Sequence, residues 1–273
     1  MPDVHFREIQ NGLRELGLTR ESRVIVHISL SALGTVRGGA ETLVGALTGL
    51  CQLVMMPTFT YQCMVYPLVG PMHNGMSYTD HERENAEAEI FSPDTPAHAD
   101  MGIAAETLRR MTGAGRSTHP LLSFAAAGVE AHAALATQTL AEPFGPIGWL
   151  LEKNAEVLLL GVGHSVNTSI HYGEFRAGRK QFVRWALTKN GAAECPNWPG
   201  CSAGFEALAP HLQKAGRATH IGQAHVQRLP MRPLVEAAER LVRADALALL
   251  CNRVSCERCS AVRAANNPLA LVR

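Results

Sequence analysis

The chain has 273 residues, 47% of them hydrophobic and 5% aromatic, and a formal net charge of +1. That composition allows a sizeable core and gives no case for binding nucleic acid or an anionic membrane surface. No run of about 18 apolar residues occurs and MPDVHFREIQ at the N-terminus is mixed in charge, so neither a membrane span nor a signal peptide is expected. Seven cysteines, an odd count, fit a reducing cytoplasm better than a disulfide framework. With no internal repeat and no low-complexity linker, residues 1–273 are expected to form a single domain.

Phe6, Ile9, Leu13 and Leu16 recur at 3-4-3 spacing, which predicts an amphipathic opening helix ending near Gly17. RVIVHI (Arg23–Ile28) follows as a strand. SLSALGTVRGGAETLVGAL then leads through Gly38-Gly39 into a helix with Leu43, Val44, Leu47 and Leu50 on its apolar side. Ser29, Ser31, Thr35 and the backbone amides ahead of that helix are candidates for phosphate binding, although the chain has neither a P-loop nor a G-x-G-x-x-G. QLVMMP (Gln52–Pro57) reads as the next strand.

From Thr58 to about Ala99 the periodicity dissolves, too long a stretch for an ordinary connection. Between Asp80 and Asp100 it carries seven acidic side chains against one basic, Arg83. Two readings stand: a solvated surface loop, or an acidic lid that concentrates a cationic ligand. Met101–Met111 is helical, and GRSTHPLLSFAAAG gathers Arg116, Ser117, His119 and Ser123 ahead of an apolar strand. Arg116 is there either a phosphate clamp or an ordinary surface residue. Helices are expected near Val129–Ala136 and Ile147–Lys153.

The organising stretch is VLLLGVGHSVNTSIHYGEF (Val157–Phe175). Val157–Leu160 has no polar face, so it belongs mid-sheet, buried on both sides. Gly161 and Gly163 let the chain leave the sheet, and Asn167 or Thr168 is a plausible N-cap for a following helix. On that helix His171 and Glu174 stand three apart on one face, close enough for the carboxylate to orient the imidazole. A base held by an acid at the C-terminal end of a central strand is where an open α/β sheet keeps its chemistry. A surface His–Glu pair is the alternative. Further on, Gln181–Thr188 alternates as a strand, with helices near Gly204–Ala215 and Leu234–Ala244 and strands near Ala218–Arg228 and Ala246–Cys251. The alternating order predicts an α/β fold.

Cys195 and Cys201 (C-x5-C) with Cys256 and Cys259 (C-x2-C) suggest a structural zinc, while buried unliganded cysteine is the other reading. Cys251 reads as core at the end of an apolar strand.

Four collinear blocks, VIVHISLSALGTVRGGAETLVGAL, VMMPTFT, RSTHPLLSFAAAG and EVLLLGVGHSVNTSIHYGE, resemble the motifs of the aminoglycoside 3-N-acetyltransferases, the antibiotic N-acetyltransferase family. GCSAGF (Gly200–Phe205) and the Cys-rich tail resemble its later part. The resemblance implies a three-layer α/β/α sandwich with a mostly parallel or mixed sheet, distinct from the GNAT superfamily. It also implies acetyl-CoA as cosubstrate and a primary amine as acceptor, the 3-amino group of a 2-deoxystreptamine antibiotic. His27, Ser29, Leu30 and Ser31 would lie along the CoA arm, with Arg116, Ser117 and Phe124 flanking it. His171 and Glu174 would be the catalytic pair. The sequence departs from the family pattern at Ile28 and in the irregular insertion at about 61–99, which lies over the expected acceptor side. Monomer and homodimer are both left open.

The chemistry stands without the family. An ammonium substrate must lose a proton before its nitrogen attacks a thioester, and a histidine can take it. Thr168 and His27 are placed to hydrogen-bond the oxyanion. Two rivals remain. Gly163-His164-Ser165-Val166-Asn167 approaches a serine-hydrolase elbow with Asn167 in place of the final Gly. A zinc-stapled binding module without catalysis is the other.

Overall fold

The computed structural model describes residues 3–266. In its first half, α1 (Phe6–Glu15) precedes β1 (Arg23–Ile28), α2 (Gly39–Thr48), β2 (Leu53–Pro57), β3 (Met64–Val65) and α3 (Glu82–Glu87). Then come α4 (Gly102–Arg110), β4 (Gly115–Arg116), β5 (Phe124–Gly128), α5 (Ala131–Leu135), α6 (Gly145–Glu152) and β6 (Glu156–Leu160). The rest comprises α7 (Ser169–Arg176), β7 (Phe182–Thr188), β8 (Gly191–Trp198), β9 (Arg217–Ile221), β10 (Ala224–Pro230), α8 (Met231–Ala244) and α9 (Glu257–Ala265).

The main sheet has seven strands in the order β4-β5-β2-β1-β6-β10-β9. β1 is parallel to both β2 and β6, while β5, β4, β10 and β9 extend the sheet antiparallel on the two flanks. The sheet is therefore mixed, with a parallel centre. Strand β6 explains why that centre is apolar throughout. Leu158 and Leu160 pack into the core under α1, α2 and α4, while Val157 and Leu159 pack into the core under α5 to α8. All four side chains are fully buried, each worth about 1.5–3 kcal/mol. Helices on both faces make this a three-layer α/β/α sandwich. Among the described residues, no helix is long and apolar enough to cross a membrane.

Several segments differ from the sequence expectation. The stretch expected as one strand over Ala218–Arg228 is a hairpin, β9 and β10, turning at Gly222 with φ +57°. Ala246–Cys251 is not a strand but a series of turns, with Leu249 in the left-handed region. Pro210 lies inside the segment expected to be helical over Gly204–Ala215, which forms a 3-10 helix at Phe205–His211. Strand β8 and helix α9 carry too little periodicity to be read from sequence.

The insertion is also more ordered than its composition suggests. Met64 and Val65 pair with Ala186 and Trp185, so β3 is the edge of a second, antiparallel sheet in the order β3-β7-β8. The buried Arg184 donates to the carbonyls of Asn74 and Gly75, and Asn74 exchanges two hydrogen bonds with the backbone of Val183. These are long-range pairings, invisible to any local pattern.

Candidate active site

A cleft of about 920 Å³ opens at the C-terminal ends of β1, β2 and β6. β1 runs on through α2 to β2 on one side, while β6 flanks it on the other. That reversal of strand order leaves a crevice, the usual ligand position in an open α/β sheet. His27 and Ile28 enter it from β1, Met56 and Pro57 from β2, and Ser165, Asn167, Thr168 and His171 from the segment after β6. Trp198 and Gly200 close it from the end of β8.

The turn after β6 decides where His171 points. Gly161 adopts φ +67°, and a Cβ there would lie 2.4 Å from Ala32 Cβ. The chain can therefore double back against the β1 loop only with glycine at this position. Asn167, fully buried, accepts a hydrogen bond from Ser169 N–H through Oδ1 at 3.2 Å and so caps α7. The backbone N-cap residue is Thr168, whose own side chain makes no capping bond.

On α7, His171 Nδ1 lies 2.8 Å from Glu174 Oε2. Since an ionised carboxylate only accepts, that contact assigns the proton to Nδ1 and leaves Nε2 as the free ring nitrogen of a side chain lining the cleft. The ring is fixed on two sides, 4.7 Å from Phe205 edge-on and 6.3 Å from Phe144 in a stacked arrangement. Glu174 is itself buried, with Arg179 Nε 3.2 Å from Oε1 as counter-ion. Arg179 is held in turn by the carbonyl of Ala248 at 2.6 Å. The pair expected from sequence is thus neither exposed nor isolated. It is the first half of a buried His171–Glu174–Arg179 relay, and a charge so placed persists only when paired.

His27 is the second histidine of the cleft. Burial lowers its pKa to about 3, so it is neutral at ordinary pH, and its Nε2 is buried without a partner. Ser29 and Ser31 lie on the loop after β1 with their hydroxyls 3.2 Å apart. Ser29, Leu30, Ser31 and Thr168 all line the cleft, as do Gly39 at the start of α2 and Gly102 at the start of α4. Two helix N-termini therefore face it, with Gly39 N–H bonded to Val36 O and Gly102 N–H to Ala99 O.

Other expected site residues lie elsewhere. Thr35 is exposed outside the cleft, and its carbonyl accepts from Val4 N–H at 2.8 Å. Arg116 does not clamp a phosphate from this position. Its guanidinium donates to Ser123 Oγ at 3.0 Å, to the carbonyls of Thr58 at 2.8 Å and Pro93 at 3.2 Å, and to Thr95 O. It ties the insertion to the sheet, with its donors directed at Ser123 Oγ and three backbone carbonyls. Ser117 Oγ is taken up by Phe124 N–H at 2.8 Å, and Phe124 is fully buried in the core. Of the acidic side chains between Asp80 and Asp100, Asp100 alone lines the cleft, and α3 with its glutamates stands apart from it.

The cysteine set also changes. Cys201, Cys256 and Cys259 gather as expected, but their fourth neighbour is Cys251, not Cys195. Cys195 lies within β8 and packs into the main core, whereas Cys201 follows past the strand's end. Cys251 escaped notice because an apolar run was read as a strand.

The elbow-like Ser165 does not assemble a triad. Its backbone N–H donates to Glu206 Oε1 at 3.1 Å, and among the described residues its hydroxyl has no histidine partner. Sequence reasoning missed Arg179, Tyr61 and Arg258 at or behind the cleft, and named Asp100 only as the end of the acidic stretch. Only a three-dimensional path brings them there, and no local pattern singles them out.

The family model described as aminoglycoside 3-N-acetyltransferase matches residues 25–243. The aminoglycoside N(3)-acetyltransferase IX of Micromonospora chalcea is 32% identical over 186 residues, 65% of this chain and 64% of that protein. The aligned stretch thus spans just under two thirds of that relative. The apoenzyme structure of aminoglycoside acetyltransferase AAC(3)-IVa superposes with a TM-score of 0.79 at 25% identity, over 96% of this chain and 98% of that one. AAC-IIIb, solved as a binary complex with CoASH, shares the fold with a TM-score of 0.73 at 20% identity, over 89% and 97%. With a family match across most of its length and a sheet, helical layers and cleft arranged as described, the chain belongs to the aminoglycoside 3-N-acetyltransferase family.

Proposed function

We propose that the chain transfers an acetyl group from acetyl-CoA to a primary amine, the 3-amino group of a 2-deoxystreptamine aminoglycoside, by direct attack with His171 as general base. The observation that carries this reading is the free Nε2 of His171 on the cleft wall, its Nδ1 fixed 2.8 Å from the buried Glu174.

The cleft residues fit the cosubstrate. Ser29 and Ser31 offer donors for a diphosphate, the N-termini of α2 and α4 add a favourable dipole, and the unpartnered Nε2 of His27 offers one more polar contact. Acetyl-CoA brings the activated acyl group, and family membership with the CoASH complex of AAC-IIIb supports it as donor. The ammonium first loses one proton to solvent, and His171 Nε2 takes a second from the amine nitrogen as its lone pair forms the new C–N bond. Glu174 holds Nδ1–H and stabilises the imidazolium, backed by Arg179. The imidazolium then returns the proton to sulfur as the C–S bond breaks. Thr168 and His27, both buried on the cleft wall, are the donors for charge growing on the carbonyl oxygen.

A second reading keeps the chemistry and changes the acceptor to an amine that is not a polycationic antibiotic. It is favoured by the cleft lining, where among the described residues Asp100 is the one carboxylate and Arg258 the one guanidinium. A polycation gains little from such a balance. Turnover of acetyl-CoA over a panel of aminoglycosides and simple amines, read as free thiol, separates the two. Release confined to simple amines selects the second, and no release with any amine refutes both.

A further inference from the structure

The geometry points to a structural tetrathiolate zinc site made by Cys201, Cys251, Cys256 and Cys259, which pins one wall of the cleft. The inference stands whether or not the acetyl-transfer reading holds. The four sulfurs all lie within 4.8 Å of one another. Four thiolates around a zinc ion at about 2.3 Å stand about 3.8 Å apart, so closure needs each sulfur to move inward by under about 1 Å. Cys201, Cys251 and Cys259 are buried, and the cluster stands apart from the two main cores. The tail spacing, C-x4-C-x2-C after a distant first cysteine, suits a zinc knuckle.

The surroundings are built for thiolate charge. Ala203 N–H lies 3.5 Å from Cys201 Sγ and Arg253 Nη2 lies 3.8 Å from the same atom. Such donors offset the negative charge that four thiolates leave around one divalent ion. All four positions of a tetrahedron are filled by protein, so the ion has no open position for substrate and its role is to hold structure. The need for a staple is visible in the chain. Between the end of α8 and the start of α9, residues 245–256 form neither helix nor strand, yet Leu249 and Leu250 lie against Gly204, just ahead of the 3-10 helix that follows β8. Soft sulfur ligands in a tetrahedral arrangement select zinc over the hard divalent ions.

What the site holds in place is functional. Arg258, between the last two ligands, lines the cleft and donates from Nη1 to Gly200 O at 3.0 Å. Gly200 adjoins Cys201, and a Cβ on it would lie 4.0 Å from Glu174 Oε2. Ala248, three residues before Cys251, accepts from Arg179 behind the catalytic pair. One ion therefore joins the strand exit, the turn segment and α9 at the three places where they meet the cleft and the relay.

The test is metal analysis of protein made in zinc-supplemented medium and purified without chelator, with alkylation of thiols followed by mass spectrometry. We expect about one zinc per chain, released by a mercurial. The four cluster thiols should be protected before chelation and reactive after it, while the reactivity of Cys195 stays unchanged. Cys251→Ser should lose most of the metal, and Cys195→Ala should keep all of it. Should Cys251→Ser fail to fold, cobalt substitution of the unaltered protein serves instead, with thiolate-to-cobalt charge transfer and intense tetrahedral d–d bands expected. Metal-free protein with all cysteines free, a disulfide between any two of the four, iron in place of zinc, or zinc lost from Cys195→Ala would each overturn the assignment.

Discussion

Replacing His171 with Ala removes the group on which the proposed chemistry rests, and the structure sets the size of each consequence. A positioned general base is worth about 10²–10⁴-fold in kcat, which is about 3–5 kcal/mol of barrier. The fold should survive. Glu174 keeps Arg179 at 3.2 Å, so its buried charge is not orphaned, and the lost ring contacts with Phe205 and Phe144 cost about 2–3 kcal/mol. CoA affinity should be unchanged, because the Ser29–Ser31 loop and the helix N-termini lie on another part of the wall. Glu174→Gln should behave in the opposite way. Its amide oxygen can still accept from Nδ1–H, so kcat falls less than in His171→Ala. Arg179, however, is left buried without a counter-ion, at a cost of about 3–5 kcal/mol. The assay is thiol release under saturating amine, with CoA titration and urea unfolding for both variants. Near-normal turnover by a folded His171→Ala protein would refute the reasoning.

Gly173 sits between His171 and Glu174, and a Cβ there would lie 2.7 Å from Ala238 Cβ and 2.8 Å from Val235 O. Gly173→Ala, which on an open helix would stabilise by about 1 kcal/mol, should here cost about 1–3 kcal/mol and lower kcat by displacing α7 from α8, measured by urea unfolding beside turnover. Asp100→Asn should raise KM for a cationic amine and leave KM for acetyl-CoA unchanged, whereas joint neutralisation of Glu82, Glu84 and Glu87 should alter neither. Equal changes in both constants for Asp100→Asn would make its role structural. Burial lowers His27 to about 3 and His119 to about 4, from an unfolded value of 6.5. The unfolded chain therefore binds more protons than the native one below pH 6.5. Stability should fall as pH drops from there towards 4, by on the order of 1.4 kcal/mol per unit for each histidine. His119 Nδ1 accepts from Leu121 and Leu122 N–H, a role that an Asn oxygen can fill, so His119→Asn should reduce the slope in urea melts. An unchanged slope would show that His119 titrates normally in the fold.

The sequence by itself determined the centre of the molecule and the pairing of His171 with Glu174. An all-apolar run such as Val157–Leu160 can only be satisfied between two helical layers, and a His three residues before a Glu on one helix must share a face. Both are local facts of periodicity, and both appear in the structure with Glu156–Leu160 buried and the pair 2.8 Å apart. What the pair leans on was not local. Arg179, Ala248 and the stacking ring of Phe144 reach His171 and Glu174 through packing of α7 against the start of α6, α8 and the turns beyond, which no spacing encodes. Tertiary structure alone decided the rest in the same way. Arg116 looked like an anion clamp because an unpaired arginine ahead of a strand is free to be one, yet the insertion folds back and occupies its guanidinium with carbonyls. Cys251 replaced Cys195 because alternation along β8 turns Cys195 into the core, while a left-handed Leu249 swings Cys251 out of the apolar run towards the other three sulfurs. Side-chain type and period are properties of a few neighbouring residues, but a partner is fixed by where distant segments of the chain meet.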